Sequence, residues 1–339
     1  MIAGVAVTLG ALLTGCGGAS TDASPTGLAT RQPCRVGTAA CAARIEVVPG
    51  RFVRSYQSYP LGVRDTLITS AVIMVHGINR DADAYFATTM TAADLAGRSQ
   101  TTLVIAPQFI TTDEAPAADE PAWTSSGWPR GDLSPTTAAL PRLSSFAAVD
   151  TIVSRLASRT QFPRLTRITI AGHSAGGQFA HRYAATSSTA RTSGGVTVRF
   201  VAANPSTWLY LGPERANGST FTVPDAAVSC PDYDDWQYGL QGRNTYANAL
   251  PAATVRQQLM QRDVTMLLGT ADTLTAELDV SCAANLQGAR RYPRGLTLLR
   301  YMNALNPGHL HSVVEIPGVG HSSSGMFTSA GGRRALFGD

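Results

Sequence analysis

The chain has 339 residues, 44% of them hydrophobic and 15% charged, with a net charge of +4 from 27 basic and 23 acidic side chains. That length suits one large α/β domain with a well-filled core, or two small ones, and the composition is that of an ordinary globular protein. The weak, scattered charge argues against a nucleic-acid partner, and because every basic residue is Arg and none is Lys, a Ser–Lys or Schiff-base mechanism is excluded.

The chain opens on a short apolar run, MIAGVAVTLGALL, followed by Leu13-Thr14-Gly15-Cys16. The run is too short to cross a bilayer as a helix, which takes about 20 residues, but has the length of a signal-peptide core. Its Leu-x-Gly-Cys ending looks like a bacterial lipobox. Residues 1–15 are therefore expected to be removed and Cys16 to carry the lipid. No Arg or Lys precedes the run, as expected if the true start lies upstream of Met1; a plain secretory signal with Cys16 incidental is the competing reading. A Gly/Ser/Thr/Pro/Ala stretch to about Gln32 reads as a tether, so residues 16–44 form a flexible N-terminal segment and residues 45–339 the folded domain.

Four further cysteines remain, Cys34, Cys41, Cys230 and Cys282. An even number in an exported chain points to two disulfides, and sequence alone allows three pairings. Cys34 with Cys41 would close a short loop, and Cys230 with Cys282 would tie an insertion to the core. A zinc site is disfavoured: there is no C-x-x-C pair and no His at ligand spacing.

Strands are expected at Ile45–Val48 and Arg51–Tyr59, then at Ala71–Val75, an all-apolar run of the kind buried on both faces. A helix over Ala82–Arg98 has Asp81 as its candidate N-cap. Thr102–Ala106 reads as a strand stopped by Pro107, Thr111–Pro141 as a long loop, and Leu143–Thr160 as a helix. Arg167–Ala171 is a strand, Ala175 to about Ala185 a helix, and Val196–Ala202 the sixth strand. Residues 204–261, rich in Pro, Gly, Asn, Asp and aromatics, read as an insertion or lid. The rhythm resumes with strand Val264–Leu268, a helix around Leu296–Leu305, strand Ser312–Ile316 and a short helix near Arg333–Phe337. Alternating strands and helices without a linker predict an α/β fold with a mostly parallel sheet covered by helices on both faces.

Four sites carry chemistry. Gly172-His173-Ser174-Ala175-Gly176 matches G-x-S-x-G and sits between a strand and a helix, where the sharp turn exposes a Ser as nucleophile and aims the Ala175 N–H at an oxyanion. His76-Gly77-Ile78 follows an early strand and offers the Ile78 N–H as second oxyanion donor, with His76 as a structural hydrogen-bonder. Asp272, within a turn of the strand ending at Gly269, is the candidate acid; Asp279 competes, and an ordinary helix N-cap is the plainer role for Asp272. His321 follows the last strand in a Gly-flanked loop and is the candidate base, whereas His309 and His311 precede that strand, at the wrong end of the sheet.

The order Ser174, Asp272, His321 and these contexts resemble the α/β-hydrolase superfamily from about Ala71 onward. The chain is most similar to a group of secreted bacterial and fungal hydrolases with ill-defined substrates, through His76–Phe86, Ala106–Phe109, Gly172–Gln178, Cys230–Tyr233 and Pro317–His321. The resemblance implies two-step acyl transfer with neither metal nor organic cofactor. The expected function is a carboxylic-ester hydrolase acting on small or polymeric esters, exported and either held to the cell envelope, at the outer membrane, only through its N-terminal lipid, or extracellular. An amide hydrolase or peptidase on the same triad, or a non-catalytic binding lipoprotein, are the alternatives. Trp123, Trp128 and Trp208, with Tyr210, Tyr233 and Trp236, are candidates to line an apolar acyl pocket; packing a small core of their own is the other reading.

Overall fold

The run Ala71–Val75, AVIMV, is apolar at every position, so neither face of the strand it forms can be left to water. The computed structural model, which describes residues 31–135, 141–188, 194–225 and 230–338, covers both faces. In β3 (Ser70–Val75), Ala71, Ile73 and Val75 join one core while Val72 and Met74 join a second. The first core lies beneath helices α2 (Ser145–Leu156), α3 (Ala175–Thr186) and α6 (Arg291–Leu305). The second is closed by α1 (Ala82–Leu95), α7 (Ser323–Thr328) and α8 (Ala330–Phe337).

The remaining strands of this sheet are β1 (Ala42–Val48), β2 (Arg51–Gln57), β4 (Thr102–Gln108), β5 (Arg167–His173), β6 (Thr197–Ala203), β9 (Val264–Gly269) and β10 (His311–Ile316). Their order is β1-β2-β4-β3-β5-β6-β9-β10. The β1–β2 and β2–β4 pairings are antiparallel and every later one is parallel. This is the α/β sheet with helices on both faces that the alternation of elements predicts. In such sheets the loops after the strands' C-terminal ends gather along one edge, where ligands bind.

Several expectations need correction. The fold begins before residue 45: β1 starts at Ala42, Cys34 and Cys41 are joined, and the Cys34 N–H bonds to Ser58 O at 2.8 Å. Residues 1–15, Cys16 and the tether up to residue 30 lie outside the described residues. Pro107 does not stop its strand, because β3 pairs with β4 only as far as Ile105 while β2 continues to Gln108. Beyond Ile105 the β3 side is open, so a missing N–H there costs no ladder bond. Asp81 occupies the N-cap position of α1, but its side chain makes no capping bond.

The segment between β6 and β9 holds a small ribbon, β7 (Arg215–Asn217) with β8 (Thr220–Thr222), and helix α4 (Ala252–Met260). It is not all insertion: Trp208, Leu209, Tyr210 and Leu211 are buried within the first core. Cys230 is bonded to Cys282, the first residue of α5 (Cys282–Asn285), which ties this segment to the chain beyond β9.

Candidate active site

Ser174 sits where β5 turns directly into α3, with φ 58° and ψ −120°. A non-glycine residue reaches that conformation only under strain, and the surrounding glycines make the turn possible. A Cβ at Gly172 would strike the Gly176 carbonyl, and one at Gly176 would strike the carbonyls of Val75 and His76. Strand and helix are thus pressed together around the serine. Ala175 is the first residue of α3, and neither its N–H nor that of Ile78 is bonded to a carbonyl among the described residues.

His76 explains how the Ile78 loop is held. Its Nδ1 lies 2.8 Å from Gly77 O and its Nε2 accepts the Phe109 N–H at 2.9 Å, so the proton resides on Nδ1. Full burial pushes its imidazole down to about 4, keeping it neutral. It is the structural hydrogen-bonder that its place in the loop suggests. Arg80 donates to Ile78 O at 3.0 Å and pairs with Glu114, fixing the loop from the other side.

Asp272 follows β9 in a turn closed by its own N–H on Gly269 O, and its side chain is fully buried. Its Oδ2 lies 2.7 Å from His321 Nδ1. The loops that carry the two residues are bound to each other: Thr270 N donates to Ile316 O and Ala271 N to Val319 O. Asn204, just past β6, accepts from Gly269 N at 2.8 Å and donates to Gly320 O at 3.2 Å. Three adjacent strand ends are thereby stapled by one buried amide. Asp279 is elsewhere, accepting from Tyr238 Oη at 2.7 Å.

Sequence reading missed both Asn204 and Arg291. Arg291 is fully buried; its Nη1 reaches Asp272 Oδ1 at 3.4 Å and its Nη2 donates to Ala276 O at 2.8 Å. The signal for Asn204 is a polar residue directly after a buried strand; Arg291 carries no local signal. His173 was likewise passed over. Its ring lies 4.4 Å from that of His321, and its Nδ1 meets Tyr85 Oη at 3.1 Å. Burial, then the charges of His321 and Arg291, hold His173 well below the usual imidazole range.

Two adjoining cavities of about 160 Å³ each open here, sharing Ile78, Ser174 and Glu277. The first is walled by Ala175, Gln178, Ser206, Gln237 and Asp279, among others. The second is walled by Tyr85, His173 and His321. Ser174 and His321 border the same cavity.

The tryptophans expected to line the pocket do not. Trp123, Trp128 and Trp208 are at most 2% exposed and border neither cavity. Trp123 Nε1 donates to Leu143 O at 2.9 Å, Trp128 stacks on Phe109, and Trp208 meets the edge of His181. Large aromatic faces gain more from a packed core than from a small open cavity, and these three complete the core beneath it.

No family model matches the chain, and no curated protein matches it in sequence. Among solved structures it is similar to poly(aspartic acid) hydrolase-1 from Sphingomonas sp. KT-1, with 25% identity and a TM-score of 0.61 over 86% of this chain and 96% of that one. It is also similar to LpqC, a poly(3-hydroxybutyrate) depolymerase from Bordetella parapertussis, with 21% identity and a TM-score of 0.57 over 84% of this chain and 85% of that one.

Proposed function

We propose that this chain, which has the α/β-hydrolase fold, is a serine hydrolase that cleaves carboxylic esters through an acyl-enzyme on Ser174. The observation that carries the reading is the strained Ser174 sharing a cavity with His321, whose Nδ1 lies 2.7 Å from the buried Asp272. Asp272 holds His321 with Nε2 free to take a proton. His321 removes the proton from Ser174 Oγ as it attacks the carbonyl. The N–H groups of Ala175 and Ile78 receive the oxyanion. The imidazolium, steadied by Asp272, then protonates the leaving alcohol, and water repeats the cycle to release the acid.

The walls narrow the substrate. Each cavity is small, so short acyl groups suit the first better than long alkyl chains, and polar side chains such as Gln178 stand among its apolar walls. Polymeric esters remain within reach if the chain runs along the open edge. Poly(aspartic acid), named for one of the similar structures, fits poorly. Glu277 and Asp279 border the first cavity, and no Arg side chain lines either one.

Two disulfides suit an exported protein. The Leu13–Cys16 ending supports a lipid on Cys16 as the only membrane attachment. Cys16→Ala should move the protein from the detergent phase to the aqueous phase in a Triton X-114 partition.

The decisive test is turnover of p-nitrophenyl acetate, butyrate and decanoate, run with fluorophosphonate labelling and a Ser174→Ala control. Turnover and labelling that both vanish in Ser174→Ala support the esterase, with acetate and butyrate preferred. Labelling without ester turnover favours an amide substrate on the same serine. Folded protein with neither activity nor labelling favours a binding lipoprotein on a hydrolase scaffold.

A further inference from the structure

Gln178 lies one helical turn beyond Ser174 on α3 and borders the first cavity. Its Oε1 accepts from Arg182 Nη2 at 2.8 Å and from Thr207 Oγ1 at 2.8 Å. Arg182 Nη2 also donates to Thr207 Oγ1 at 2.9 Å, which closes a ring of three side chains. A guanidinium can only donate, so this ring fixes which end of the Gln178 amide is which. Turning the amide over would set Nε2 against the Arg182 Nη2 donor, which cannot accept. Arg182 cannot yield, since it is fully buried and anchored to Pro129 O at 3.1 Å.

The consequence falls on Nε2. It has no acceptor among the described residues, and it belongs to a side chain that lines the cavity beside the nucleophile. Ser125 and Ser126 are exposed hydroxyls that can rotate, and the Asp279 carboxylate is occupied by Tyr238.

Which part of the substrate meets Nε2 follows from the position of His321. The leaving group takes its proton from His321, so it departs through the second cavity, which His321 lines. The acyl group then occupies the first. The geometry points to Gln178 as a specificity-determining residue, its Nε2 donating to an ether, ketone or ester oxygen carried in the acyl chain; this rests on the serine-hydrolase reading above. A plain alkyl chain would leave that N–H without a partner in a confined space, which is where enzymes discriminate best.

The test compares p-nitrophenyl 3-methoxypropanoate with pentanoate, and 4-oxopentanoate with hexanoate. Each kcat/KM is divided by the ester's hydroxide-catalysed rate to remove intrinsic reactivity. The wild type should favour the oxygen-bearing member by about tenfold, the scale of one hydrogen bond. Gln178→Met should bring that ratio to about one, whatever its absolute rate. Gln178→Glu keeps the bonds to Arg182 and Thr207 and presents an acceptor, so its ratio should fall below one. A wild-type ratio near one, or a ratio that persists in both variants, overturns the inference alone. Absence of any Ser174-dependent turnover overturns the serine-hydrolase reading and this inference together.

Discussion

Asp272 is shared by two partners: His321 Nδ1 at 2.7 Å on Oδ2 and the Arg291 guanidinium, whose Nη1 lies 3.4 Å from Oδ1. Burial is nearly complete around the carboxylate, so neither attraction is diluted much by water. The same Arg291 holds the Ala276 carbonyl, which joins Asp272 to the loop that carries Glu277 to the cavities.

The Arg291 fork bonds both the Asp272 carboxylate and the Ala276 carbonyl, so losing it should loosen the carboxylate that orients His321. Arg291→Gln is expected to lower kcat with little change in KM. Arg291→Lys keeps the charge but not the fork, so its kcat should fall less. Steady-state kinetics of the three proteins on one ester check this; a fall in thermal stability with kcat unchanged in both variants would mean a purely structural role.

Asn204 combines burial, a positive φ of 43° and bonds to two loops. Asn204→Ala should cost about 2–4 kcal/mol, from the unpaired Gly269 N–H and Gly320 carbonyl and from a Cβ residue that tolerates the left-handed region less well. Urea unfolding measures the loss. Because both stapled loops lead to Asp272 and His321, the proposed acid and base, kcat should drop more than KM rises.

The Cys230–Cys282 bond closes a loop with a sequence separation of 52. Loop-closure entropy puts its contribution at about 4 kcal/mol. The double variant Cys230→Ser/Cys282→Ser should show that loss in urea, while its specific activity at 25 °C stays within threefold of wild type.

Four buried imidazoles, His76, His173, His181 and His311, are all pushed below their ordinary range, chiefly by burial. The folded state therefore binds fewer protons than the unfolded chain at mildly acidic pH. Stability should be full above about pH 6.5 and fall as pH drops below it, each ring contributing up to about 1.4 kcal/mol per pH unit. For His76 that decline runs to about 4, where the folded form itself takes up the proton. Melting temperatures between pH 7 and pH 5 should show the slope. His311→Asn should flatten it by about one proton, since both ring nitrogens of His311 are buried without partners.

Most of the sheet was readable because a strand buried on both faces has to be apolar throughout; β3, β5 and β9 stand within two residues of their expected limits. Pro107 misled because the rule against proline assumes two paired neighbours, and only pairing showed that one had already ended. The tryptophans misled for a related reason. Loop position says that a side chain is near the active edge, not whether it points down into the core or up into the cavity.

What the sequence by itself determined was the order and local setting of the candidate site: a serine in a glycine-lined strand-to-helix turn, and an aspartate and a histidine after later strands. Those are properties of short segments, where spacing and residue type suffice. The tertiary structure alone decided that Asn204 staples three strand ends, that Arg291 backs Asp272, and which end of the Gln178 amide faces the cavity. Each depends on groups brought together from distant parts of the chain, and a hydrogen bond acts over about 3 Å of space regardless of the sequence between its partners.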